Sequence, residues 1–204
     1  MFIPVIIYAI FFLNPQNISA THLQCQEAFF ETIDEQDDSL FEFVAHMHCS
    51  SDQIKPLYEL QDDVFTYFVK HPSYTIYSTQ SNVNYKNFEG KKLTVREDIS
   101  SGNGDLKVYS DMYIVGDQDK HFLLDSMSTK IDAEGNAKTT KYNGLSVRID
   151  IKHDQASEVV ITKHAIVKKP WIAPKSYFIN RVKSGIKNSL TIIKNEYESI
   201  IIEP

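Results

Sequence analysis

Two histidines one residue apart, His46 and His48, form the pair whose spacing could hold a metal ion. In an extended segment, side chains two positions apart share a face, so both imidazoles point the same way. Glu42 falls on that face, and His164 lies in a later segment of strand character. That face reads as the solvated one and the spacing fixes no third ligand. Exposed histidines are expected, and no metal is assigned. The sequence has no glycine-rich phosphate loop, Cys-x-x-Cys pair, Gly-x-Ser-x-Gly elbow or His-Glu-x-x-His helix. No catalytic residue and no cofactor is assigned, and an enzyme is the less expected outcome.

Charge segregation is the stronger chemical signal. From Lys163 to Lys187 there are seven basic residues (Lys163, Lys168, Lys169, Lys175, Arg181, Lys183 and Lys187) and no acid. From Glu27 to Asp63 there are eleven acids and a single lysine, Lys55. One reading is a solvated face that complements the acidic leader. The other is a docking surface for anionic lipid headgroups, formed by Lys168, Lys169, Lys175 and Lys183 around Trp171. Lys163 is in phase with Val159, Ile161, Ala165 and Val167, so it is a candidate for the head of an acidic ligand if that side faces inward. Val160 and Ile166 make the opposite side apolar too, and the orientation stays open. A net charge of −6 argues against nucleic acid as a partner.

These residues are positioned by two kinds of element. Phe178, Val182, Ile186, Leu190, Ile193, Tyr197 and Ile200 recur at steps of three or four, which predicts one long amphipathic helix from Pro174 to about Glu203. Gly185, Asn188, Ser189 and Thr191 lie inside it, so burial of the stripe must hold it rather than propensity. Between Tyr74 and Lys168, segments 74–86, 91–99, 105–115, 120–131, 139–152 and 157–168 read as strands. Turn signals such as Glu89-Gly90, Gly116-Asp117 and Asp154-Gln155 separate them. The alternation of Leu106, Val108, Ser110, Met112 and Ile114, and of Leu145, Val147, Ile149 and Ile151, gives the sheet one apolar face. A further strand is expected at 40–49, with Phe41, Phe43, Ala45, Met47 and Cys49 on one side. A helical pattern follows from Gln53 to Lys70, broken into two short helices at Asp62-Asp63.

The chain has 204 residues, 42% of them hydrophobic, as an ordinary single globular domain does. Residues 1–20 stand apart: an uncharged apolar run to Leu13, then Ile18-Ser19-Ala20, resembles a secretory signal peptide. The run is too short to span a bilayer. An exported protein, periplasmic or secreted, is expected, and residues 21–39 form an acidic arm, either a short helix or a segment packed on the domain edge. Two cysteines, Cys25 and Cys49, then favour one disulfide, the alternative being two free thiols.

The order of strand, two short helices, antiparallel meander and long helix over 40–204 resembles the START-like, or helix-grip, superfamily. So does the passage Lys168-Lys169-Pro170-Trp171-Ile172-Ala173-Pro174 from the last strand into the helix. The resemblance implies an α+β fold in which a curved seven-stranded antiparallel sheet wraps around the C-terminal helix. It also implies a cavity for a lipid or other hydrophobic molecule, with Met112, Ile114, Ile149, Ile151, Val182, Ile186 and Leu190 as expected lining and Lys163 as its charged group. The expected function is that of an exported carrier or sensor, a monomer touching anionic membranes at most peripherally. The alternatives are a cyclase or hydrolase on the same scaffold and an interaction module with a filled core.

Overall fold

A computed structural model of the chain describes residues 23–37, 39–101, 104–117, 119–134, 138–152 and 156–202. The expected signal segment, 1–20, lies outside the described residues.

The acidic leader is not a helix but extended backbone packed on the domain edge, the second of the two expectations, and it joins the sheet there as strands. β1 (Gln24–Cys25) and β2 (Phe29–Asp37) both pair antiparallel with the same edge of β3 (Leu40–Ser51). Cys25 is joined to Cys49 by a disulfide. Among the described residues the sheet therefore has nine strands rather than the expected seven. The polar leader hid this, because an edge strand needs backbone partners more than an apolar face, and β2 is exposed along most of its length.

β3 alternates as the sequence predicts, with Phe41, Phe43, Ala45, Met47 and Cys49 buried. One helix follows, α1 (Leu57–Lys70), where two short ones were expected. Leu57, Leu60, Val64 and Phe68 keep one buried stripe through it. Asp62 and Asp63 sit on its outer side, paired with Lys91 (2.6 Å) and Lys55 (2.7 Å), so they do not interrupt it. Ser51 is still strand and Pro56 precedes the first turn, so the helix begins later than the expected start at Gln53.

The meander runs β4 (Tyr74–Tyr85), β5 (Phe88–Ser101), β6 (Gly104–Gly116), β7 (His121–Ala133), β8 (Thr140–Asp150) and β9 (Ser157–Lys168), each antiparallel to the next. The first hairpin turns at Lys86-Asn87, both with positive φ (51° and 69°), earlier than the Glu89-Gly90 signal. Gly90 instead lies inside β5, where a Cβ would stand 2.1 Å from the Ile114 carbonyl oxygen. β9 then returns beside β3, so the first long strand neighbours the last.

α2 (Lys175–Ile201) is a rod of about 40 Å. Phe178, Ile186, Leu190, Ile193, Tyr197 and Ile200 are buried, as the stripe predicts, and Val182 is half-buried. α2 packs against β3, β9 and α1, while α1 covers β4, β6 and β7. Its far end is fastened by a bridge between Ile202 and Ile54 and by the Lys55 amide donating to the Ile201 carbonyl (2.9 Å). Among the described residues no helix is long and apolar enough to cross a membrane.

Candidate functional site

The register of the sheet settles the orientation of Lys163. It stands opposite Ala45 on β3 and Leu145 on β8, with Ile161 and Ala165, both buried, on its own face. That face looks toward α2 and away from solvent. Protein encloses the side chain, and burial drives its ammonium below the ordinary lysine pKa, an effect the nearby negative charge of Glu97 partly opposes. Lys163 nevertheless keeps accessible surface and is only half-buried by area. Among the described residues its ammonium makes no hydrogen bond and no ion pair within 4.0 Å.

Glu97 is the acid that faces this interior. It follows Leu93 and Val95 on the inward phase of β5, opposite Tyr74 on β4 and Val108 on β6. Burial raises its carboxyl pKa, against the opposing pull of Lys163 and of a hydrogen bond from Tyr74. Burial likewise pushes the Tyr74 hydroxyl up, and that of Tyr67 to about 12. Tyr67, His71 and Tyr74 form a chain of ring contacts at 5.1 and 5.4 Å between the end of α1 and β4. Tyr197 of α2 closes the group, 6.0 Å from Tyr67. It is 2% exposed, and its hydroxyl has no hydrogen-bond partner among the described residues.

The apolar residues expected to line a cavity divide into two sets. Ile114, Ile149 and Leu190 have no accessible surface and form solid core, with Met112 and Ile186 buried beside them. Val182 and Ile151 are half-buried against that core. Leu145, beside Lys163, and Ser126, beside Leu145, also retain accessible surface on the inward phase.

The histidines of β3 are paired separately. His46 bonds to Glu31 (2.8 Å) and Thr162 (2.9 Å), His48 lies 3.4 Å from Glu158, and His164 bonds to Glu42 (2.7 Å). Phe29 of β2 packs over both β3 rings, at 5.3 and 5.4 Å. Among the described residues no three metal-ligating side chains converge.

The basic run is partly neutralised by the acidic leader. Lys175 pairs with Glu35 and Lys187 with Glu27, and Lys183 lies over the Phe30 ring (5.0 Å). Lys169 donates to the carbonyls of Pro170 and Ala173 (3.3 and 3.2 Å), bracing the turn. Lys168 is exposed at the end of β9. At the tip of that turn Trp171 is 91% and Ile172 75% exposed.

No protein-family model matches the chain, and no curated protein matches its sequence. Solved structures do match. A START superfamily protein from Mycobacterium smegmatis aligns over 77% of this chain and 98% of its own, at 10% identity and a TM-score of 0.44. Human StAR-related lipid transfer protein 5 aligns over 83% and 85%, at 11% identity and a TM-score of 0.46. An aromatase/cyclase from Streptomyces aligns over 76% and 95%, at 10% identity and a TM-score of 0.35. The observed fold is α+β, with a strand and helix ahead of an antiparallel meander whose last strand returns to the first and leads into a long helix laid on the sheet, the helix-grip order that the sequence predicts. Sequence reasoning overlooked Glu97, although its phase with Leu93 and Val95 already placed an acid on the apolar side. Tyr74 gave no such signal, because its role depends on where α1 ends.

Proposed function

We propose that the protein binds a hydrophobic small molecule or lipid in the interior between α2 and the curved sheet, as a carrier or a sensor. One observation carries this reading. The register turns Lys163 to the inward, apolar side of β9, between Ala45 and Leu145, where it still keeps accessible surface. A charged side chain with free surface on the face covered by α2 suits a space that a ligand could fill. The half-buried Val182 and Leu145 would give such a space an apolar lining, with α2 packed on β3 and β9 at one side and α1 covering β4, β6 and β7. Burying an acyl chain contributes about 0.8 kcal/mol per CH₂, which is what makes such a space useful to a molecule poorly soluble in water.

The expected setting is outside the cytosol, since the Cys25–Cys49 disulfide suits an oxidising compartment. Exposed Trp171 and Ile172, with Lys168 beside them, provide a tip suited to touching an anionic bilayer during exchange.

Native mass spectrometry of the purified chain tests the reading, with a hydrophobic adduct as the expected result. Leu145→Trp should fill the space and lower uptake in a protein that still unfolds cooperatively. Undiminished uptake by that variant would place the ligand elsewhere. Catalysis in the same space is a second reading, favoured by the shifted Lys163 and Glu97. It requires the bound molecule to be chemically changed on incubation, whereas a carrier returns it intact.

A further inference from the structure

We propose that Lys163 anchors the carboxylate of a single-chain acidic amphiphile whose apolar body lies between α2 and the sheet. This rests on the ligand-binding reading above and specifies the polar end of the ligand.

The ammonium of Lys163 offers three donors, and among the described residues none meets an acceptor. A charge held in a water-poor interior without a partner is unfavourable, and the cost falls when an opposite charge arrives with hydrogen bonds. Glu97 does not fill that role. It acts on Lys163 across the interior without an ion pair between them, and its carboxylate is engaged by the Tyr74 hydroxyl. A ligand carboxylate would meet the ammonium directly, as a short charge-assisted hydrogen bond.

The surroundings select a monoanion on an apolar chain. Leu145, Ala45 and Ala165 flank the lysine, and Val182 of α2 keeps accessible surface against the same core. No arginine lies on this inward face among the described residues, and α2 begins at Lys175 on the exposed turn, so its N-terminal amides do not reach Lys163. A phosphate dianion is commonly held by several donors or a guanidinium fork. One ammonium beside a carboxyl suits a single negative charge. Dispersed apolar neighbours with few donors suit an unbranched tail better than a polyhydroxylated ligand.

The test compares dodecanoate, 1-dodecanol and dodecyl phosphate on the full chain freed of co-purified lipid, by displacement of a polarity-sensitive dye near neutral pH. Dodecanoate should bind the wild-type protein at least about tenfold more tightly than dodecanol, the scale of one hydrogen bond to a charged group. Lys163→Met should remove that preference and leave dodecanol within about twofold of wild type. Equal wild-type affinity for acid and alcohol, or an equal loss of both in the variant, overturns the proposal while leaving the binding reading intact. Tighter binding of dodecyl phosphate overturns the choice of carboxylate. Failure of all three probes to bind the wild-type protein removes the binding reading itself, and the anchor with it. The wild-type comparison stands even if the variant fails to fold.

Discussion

Cys25 stands directly opposite Cys49 in the register of β1 and β3, and the two are bonded. The bond fastens the acidic leader to the strand that also carries β9. With a sequence separation of 24, the closed loop contributes about 3–4 kcal/mol in the chain-entropy view. The Cys25→Ala, Cys49→Ala variant should unfold at correspondingly lower urea concentration, with the transition midpoint as the readout. A midpoint unchanged from wild type would mean that the leader is held by its β2–β3 pairing alone.

Gly185 lies within α2, and a Cβ there would meet nothing within 4 Å. Gly185→Ala should therefore stabilise the protein by about 0.5–1 kcal/mol, through reduced chain entropy and better helix propensity. Thermal unfolding at constant pH measures it, and a loss of stability would reveal a contact made by that side of the helix.

Leu190 and Val182 share the α2 stripe but differ in packing, one fully buried and one half-buried. Leu190→Ala should cost about 2–5 kcal/mol, because it opens a cavity in close-packed core. Val182→Ala should cost less than about 1.5 kcal/mol, since part of that side chain already lacks neighbours. Equal costs would argue against a free space beside Val182.

Lys163 makes stability pH-dependent. Its pKa is lower in the folded chain than in the unfolded one, so between those values the unfolded chain holds the extra proton. Stability from this group rises with pH through the window, which closes near the ordinary value of 10.5. Without ligand, Lys163→Met should show its largest gain over wild type near neutral pH, shrinking as pH approaches about 10. The groups that also face this interior are Glu97 and Tyr74 of the sheet, Tyr67 and His71 at α1, and Tyr197 on α2, with the exposed Glu196 acting on them from its rim. Glu97 shifts the other way, and its window opens above 4.5, so it acts on the acid side of the same curve. Urea titrations of both proteins across this range provide the comparison. A difference that does not vary with pH would mean the ammonium is solvated.

The exposed tip is expected to act in membrane encounter. Trp171→Ala with Ile172→Ser should leave stability within about 0.5 kcal/mol, as both side chains are largely exposed. The same variant should transfer ligand to anionic vesicles more slowly. Lys168→Glu with Lys169→Glu should slow transfer at low salt and recover at high salt, since screening shortens the reach of these charges. Wild-type transfer rates in both variants would make the turn a solvated connection.

The fold was legible where period and burial coincide. The alternation of β3 and six of the seven stripe residues from Phe178 to Ile200 are buried as their spacing says, Val182 being half-buried. The leader's place on the domain edge was legible but its strand character was not, because Glu31, Asp34, Glu35 and Asp37 give no apolar phase and β2 is held by its ladder to β3. The break at Asp62-Asp63 was misplaced because propensity alone ignores Lys91 and Lys55, which come from outside the local helix. For the site, phase identified Lys163 as a candidate but could not choose between two apolar faces of β9. Only pairing with β3 and β8 decides between them, and pairing is non-local.

The return of β9 to β3 also governs when the molecule can close. Phe43 waits for Ala165, and Ile54 for Ile202, so the central ladder and the grip of α2 form only after the whole meander exists. Contacts so distant along the chain make for slow folding, because loop closure is costly before it is repaid. During synthesis, β3 emerges with one edge unpartnered and its apolar face uncovered until α2 leaves the ribosome. The nascent protein thus passes through a stage in which its interior lies open, and a chaperone, or the hydrophobic ligand proposed for it, would find it there.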